Sequence, residues 1–215
     1  MKRSPKKDEK KVSNYTKHAE LARDLFRLND TGKIIKRFDL RHDADALYLP
    51  FFGRELRVDR KSGRVTINET GEPASFNTVM SVYDVLCNRK DGARITGEWK
   101  TLQTLSPHSN FGASGRDLHS GLAESFEYDI PALRKACELL GGEPYTTADV
   151  GYKFDAFEFL PIVFQLWLGD DEFPSRVSFL LDAATLDFMH FETAWYVAGE
   201  LSDLLMRELD RILTK

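Results

Sequence analysis

Cysteine is scarce in this chain, and no long apolar run occurs. Cys87 and Cys137 are the only two thiols among 215 residues. That is too few for a disulfide framework, or for a metal or iron–sulfur site built from thiolates, and a reduced, cytoplasmic setting is the expectation. No hydrophobic stretch approaches the ~20 residues that a membrane-spanning helix requires. The charged N-terminus is not followed by the apolar segment of a secretory signal. A Walker A loop, a dinucleotide-binding glycine pattern, a zinc-ligand spacing and a Gly-x-Ser-x-Gly elbow are all missing. With these signatures absent, a binding or accessory protein is the leading expectation, and the alternative is a metal-dependent or acid–base enzyme that uses the Asp170-Asp171-Glu172 turn with His190. The pattern names no cofactor. The composition is that of a protein with a real core, 42% hydrophobic and 12% aromatic.

Charge is unevenly spread. Residues 1–12 hold six Lys/Arg against Asp8 and Glu9, a local +4, which leaves about −8 for the remainder of a chain whose net charge is −4. Segment 1–12 reads as a disordered basic tail and 13–215 as a single domain. The tail is either simply solvated or touches an anionic surface, and the acidic body argues against a nucleic-acid face.

Hydrophobic spacing supplies the elements. Asn14–Leu28 has a helical period with Ser13 as a candidate cap, and Lys33–Arg37 adds a short helical turn. The period then becomes two through Leu47–Phe52, Leu56–Val58 and Val65–Ile67, with turns at Gly53 and at Lys61-Ser62-Gly63. This is a β-meander. Ser75–Asn88 returns to helix. Asp117–Phe126 and Pro131–Leu140 are further helices, the second closed by Gly141-Gly142. A strand at Gly151–Phe157 precedes two apolar runs joined by an acidic turn, Gly169-Asp170-Asp171-Glu172. Phe191–Leu213 is the clearest helix, and its apolar stripe predicts packing against a sheet. The expected class is α+β, with helices on a mostly antiparallel sheet and a long C-terminal helix.

Several segments together resemble one family. They are Asn14-Tyr15, Leu49-Pro50-Phe51-Phe52-Gly53, Gly97-Glu98-Trp99, Leu139-Leu140-Gly141-Gly142, Leu166–Pro174 (LWLGDDEFP), Leu180-Leu181-Asp182 and Gly199-Glu200. They are similar to landmarks of the DUF3786 domain, found mainly in anaerobic bacteria and archaea, and the resemblance spans about residues 13–212. It implies no defined activity. Some relatives carry an iron–sulfur module of the kind seen in corrinoid proteins, which implies anaerobic one-carbon or cofactor metabolism. This chain lacks that cysteine-rich module. It also reads Met189-His190-Phe191-Glu192-Thr193 where relatives resemble Leu-Pro-Thr-Glu-Asp.

Four constellations are candidates for chemistry. Asp170, Asp171 and Glu172 either share a proton or a divalent cation for acid–base work, or form a solvated turn. His190 beside Glu192, with Asp182 or Asp187, offers an imidazole–carboxylate pair for metal binding or base catalysis, or the plain start of a helix. The metal-ligand candidates are therefore Asp170, Glu172, Asp182, His190 and Glu192. The Ser109–Arg116 loop offers a backbone nest with Arg116 for an anion, or is a surface loop flanked by His108 and His119. Trp99, Trp167 and Trp195 either line a pocket for a flat ligand or fill the core. A small molecule or a partner protein is the expected partner. Such a ligand is expected between the sheet and the C-terminal helix.

Overall fold

The structure is a computed structural model that describes residues 14–105, 120–145 and 147–214. The basic tail, the Ser13 cap, the Ser109–Arg116 loop, His108 and His119 lie outside the described residues.

The first helix, α1 (Asn14–Leu28), is followed by α2 (Thr31–Phe38). Asp30 starts α2 by accepting the backbone N–H groups of Gly32 and Lys33, two donors that the first helical turn leaves orphaned. The expected meander follows as β1 (Arg41–His42), β2 (Ala46–Phe51), β3 (Arg54–Asp59) and β4 (Val65–Ile67), antiparallel and in that order. Leu47, Leu49 and Phe51 of β2 are buried while Tyr48 and Pro50 between them are only half-buried, the mark of a sheet with one face on the core. Helix α3 (Phe76–Asn88) is capped by Ser75, whose hydroxyl accepts the Thr78 N–H.

A second antiparallel sheet takes the order β5-β9-β8-β7-β6, built from β5 (Trp99–Thr101), β6 (Glu143–Pro144), β7 (Val150–Phe157), β8 (Leu160–Trp167) and β9 (Arg176–Asp182). Helices α4 (Leu102–Leu105), α5 (Ser120–Glu127) and α6 (Ile130–Leu139) connect β5 to β6. A 3-10 turn at Thr185–Asp187 leads into α7 (Phe191–Leu213). The class is α+β, its antiparallel strands divided between two sheets, with a long C-terminal helix.

The two sheets meet at an irregularity. A bulge between Asp155 and Phe157 takes Ala156 out of the β7–β8 ladder, and the freed Ala156 carbonyl accepts the Phe52 N–H at 3.0 Å. Phe52 and Gly53 form the β2–β3 turn with φ of +47° and +70°, the left-handed pair that a tight hairpin demands. Phe51 packs on Phe157 with ring centroids 4.7 Å apart. A bulge that re-aims one carbonyl thus joins two sheets into one hydrophobic cluster.

The α7 stripe packs on α3 and α6. A buried polar clasp sets α7 against α3 and β3. Glu200 of α7, fully buried, takes the Arg54 guanidinium at 2.9 Å and the Ser75 hydroxyl on its other oxygen. Ser75 therefore caps α3 and ties it to α7 at the same time. A carboxylate buried this deeply is tolerated because both its oxygens are occupied.

Asp182, a candidate metal ligand in the sequence, is a structural acceptor at the end of β9. Its carboxylate is 1% exposed and receives the backbone N–H groups of Thr96, Gly97 and Ala184 and the Thr96 hydroxyl, at 2.7–3.0 Å. Burial pushes this carboxyl up, and the donors from Thr96, Ala184 and Gly97 outweigh it, so it sits below its ordinary value. A carboxyl depressed in the folded state stabilises the fold above the unfolded value near 4, and loses that contribution as pH falls through the folded one. Asp182→Ala strands three backbone donors, and a loss of about 2–4 kcal/mol is expected in urea unfolding at pH 7. The difference between variant and wild type should shrink as pH falls below about 4. An unchanged midpoint at pH 7 would contradict the assignment.

Candidate functional site

Asp84, Cys87 and Asn88 stand at i, i+3 and i+4 on α3, so they share one face of the helix. The start of α7 meets that face. His190 is the N-cap of α7, in extended conformation, and its side chain makes no capping bond. Asp84 supplies the contact instead. Its Oδ2 accepts the His190 backbone N–H at 2.7 Å, and its Oδ1 pairs with His190 Nδ1 at 2.6 Å. Asn88 Nδ2 donates to the same Oδ1 at 2.7 Å. The Asp84 side chain is 11% exposed and that of His190 is 70% exposed. An ionised carboxylate can only accept, so Nδ1 is the donor in this contact, and whenever the ring is neutral its lone pair is on Nε2. The pair thus holds an acceptor of fixed orientation at the surface.

A cleft of about 340 Å³ surrounds the pair. His18, Leu21, Ala22 and Leu25 of α1 form one wall; Met80, Tyr83, Asp84, Cys87 and Asn88 of α3 form the floor; His190, Glu192, Thr193 and Tyr196 of α7 close the third side. Leu21 and Leu25 are 65% and 62% exposed, so this wall keeps apolar surface in water. Tyr83 is anchored from beneath, its hydroxyl donating to the Gly63 carbonyl at 2.6 Å. Burial, and then the charge of Asp84, pushes the Cys87 thiol up to about 11. It is therefore protonated at neutral pH and suited to packing and weak hydrogen bonding, not to nucleophilic attack. The Asn29 amide donates to its sulfur at 3.5 Å.

The neighbouring segment is tied down independently. Lys90 donates its N–H to the Asp187 carbonyl at 2.8 Å and its ammonium to the Asp187 carboxylate at 2.6 Å. The Arg89 guanidinium lies 5.0–5.3 Å from the ring centroids of Phe38, Phe159 and Phe188. These contacts anchor residues 187–188, and hence the approach to His190.

Of the residues singled out in the sequence, His190 and Glu192 line this cleft. The others lie elsewhere. Asp170, Asp171 and Glu172 form an exposed turn in which the Asp170 carboxylate accepts the N–H groups of Glu172 and Phe173 at 2.9 and 2.8 Å. Those two donors hold the Asp170 carboxyl below its usual value. Asp182 is the acceptor described above, and Asp187 pairs with Lys90. Trp167 ends β8, Trp99 sits edge-on to Tyr145 in the second sheet, and Trp195 sits edge-on to Phe191 on α7. None of the three lines the cleft. Arg116 lies outside the described residues. Among the described residues no group of three or more His, Cys, Asp or Glu is arranged to hold a metal ion, so Asp170, Glu172, Asp182, His190 and Glu192 do not converge on one. The cleft lies between α1, α3 and the start of α7, not between a sheet and α7. No described helix is long and apolar enough to cross a membrane.

The chain belongs to the DUF3786 family, a domain of unknown function whose profile matches residues 30–203. Asp84 and His190 fall inside the match, and α1, which builds the apolar wall, falls outside it. No curated protein and no solved structure matches the chain.

The surroundings of the two thiols make a direct expectation. Cys137 is fully buried and its thiol is also pushed up by that burial. At pH 7.5 the native protein should show no fast reaction with a disulfide reagent such as DTNB, and labelling should accelerate as pH rises toward 11. Rapid labelling of Cys87 at neutral pH would contradict the environment described for it.

Proposed function

We propose that this DUF3786 member is a non-catalytic binding protein for a small molecule. The ligand places an apolar body against Leu21, Leu25 and Met80 and a hydrogen-bond donor on His190. The observation that carries this reading is the Asp84–His190 pair at 2.6 Å on the edge of a 340 Å³ cleft. Ligand pockets characteristically pair an apolar lining with a few oriented polar groups, and this volume falls at the small end of their usual range. The family resemblance and the two free thiols support a cytoplasmic accessory role in anaerobic metabolism.

The same pair favours one alternative, an acid–base enzyme in which His190 takes a proton and Asp84 orients it. The acidic turn is then not the partner of His190, because Asp84 already occupies Nδ1.

The test is ligand-observed NMR against a library of small amphiphiles, repeated on two variants. Loss of one hydrogen bond of about 1–1.5 kcal/mol lowers affinity roughly tenfold, so His190→Ala should weaken a true ligand by that factor. Leu21→Glu, at an exposed position, should abolish binding without unfolding the protein. Binding indifferent to both variants would refute the cleft as the site. A hit chemically altered by wild type and unaltered with His190→Ala would move the assignment to the enzyme.

A further inference from the structure

The hairpin tip between β8 and β9 is not part of the cleft, and it departs from what an inert turn looks like. Phe173 is 67% exposed, Leu168 43% and Trp167 39%, so apolar side chains from both arms of the turn stand in water. A turn selected only for solubility would be polar throughout.

The tip is also held by its own hydrogen bonds. The Asp170 carboxylate accepts the N–H groups of Glu172 and Phe173, while the Asp170 N–H donates to the Phe173 carbonyl at 2.9 Å. Below it the Leu168 N–H donates to Asp149 Oδ2 at 2.9 Å. Gly169 lets the two arms close, since a Cβ there would stand 2.8 Å from the Ser175 nitrogen. A cluster held this way pays little ordering entropy on contact with a partner.

We propose that this tip is a docking element for a protein whose apolar pocket is rimmed by lysine and arginine. Charge selects that occupant. Asp170, Asp171 and Glu172 lie between Leu168 and Phe173 in the chain, and Arg176 is the single cation in segment 167–176. Anionic membranes and nucleic acids are repelled by such a surface, and so is the acidic body of a second copy, which carries about −8 beyond residue 12. The apolar side chains supply the anchor that a purely electrostatic contact lacks, with aromatic residues at the centre of the contact and charges at its rim.

The test places the photo-reactive residue p-benzoylphenylalanine at position 173 in cells that produce the full chain, and identifies the cross-linked peptide by mass spectrometry. The expected result is one other protein, attached through a peptide with Lys or Arg beside apolar residues. Its yield should fall at least tenfold when Asp171→Lys and Glu172→Lys are introduced together. Asp171→Asn with Glu172→Gln, which keeps the size of both side chains, should give an intermediate loss, and both variants should melt as wild type does. A cross-link to a second copy, to residues 1–12 of this chain, or to a partner whose yield ignores the charge changes would overturn the proposal. So would the absence of any specific cross-link.

Discussion

Asp84 joins α3 to the start of α7, the two helices that frame the cleft together with α1. One carboxylate, nearly out of solvent, accepts the backbone N–H that opens α7, the imidazole of the same residue, and the amide of Asn88 one turn along α3. Charge-assisted hydrogen bonds of this kind are the strong ones, and two of them reach the same residue. The start of α7 and the ring of His190 are thereby fixed by a single group. The Glu200 clasp performs the matching task at the other end of α3, where Ser75 caps the helix and donates to the carboxylate on α7. With both ends of α3 fastened to α7, the floor and the third side of the cleft form one rigid frame. α1 is the looser piece, burying only Phe26 completely and leaving Leu21, Leu25 and Leu28 in water.

This distribution of rigidity has a chemical consequence. A preorganised imidazole needs no reorganisation when a donor arrives, so little binding energy is lost in orienting it. A wall of exposed leucines, in contrast, gains by being covered, at about 25 cal/mol for each Å² of apolar surface removed from water. Polar orientation thus comes from α3 and α7, and apolar driving force comes from α1. The family match covers the first and not the second, so the oriented pair lies in the part of the chain shared with the family's profile.

Much of the architecture was legible in the sequence because it is local. The period of 3.6 delivered α1 and α7 with their observed limits and α3 to within its Ser75 cap, and the period of two delivered β2, β3 and β4. What escaped depends on contacts between distant residues. Trp99–Thr101 becomes a strand only because it pairs with Leu180–Asp182, some eighty residues on. The division into two sheets turns on a bulge at Ala156 that no propensity announces. The α7 stripe was legible, but its helical partners α3 and α6 were not, since an apolar face takes a helix as readily as a sheet. His190 was recognisable as an unusual residue at a helix start, while its partner lies 106 positions earlier in what reads as an ordinary amphipathic helix. Asp182 shows the limit from the other side: in sequence it stands near His190 and Glu192 as a third ligand candidate, while in the fold three backbone donors gather around it as an acceptor inside the core.

Nitrogen-15 NMR of the His190 imidazole tests the central claim most directly. With the ring neutral, a pair held by Asp84 places the hydrogen on Nδ1, so the spectrum should show the Nδ1–H tautomer, reverting toward the ordinary Nε2–H form in Asp84→Ala. An Nε2–H tautomer in the wild-type protein would contradict the account, because the acceptor on which the cleft's chemistry rests would not exist.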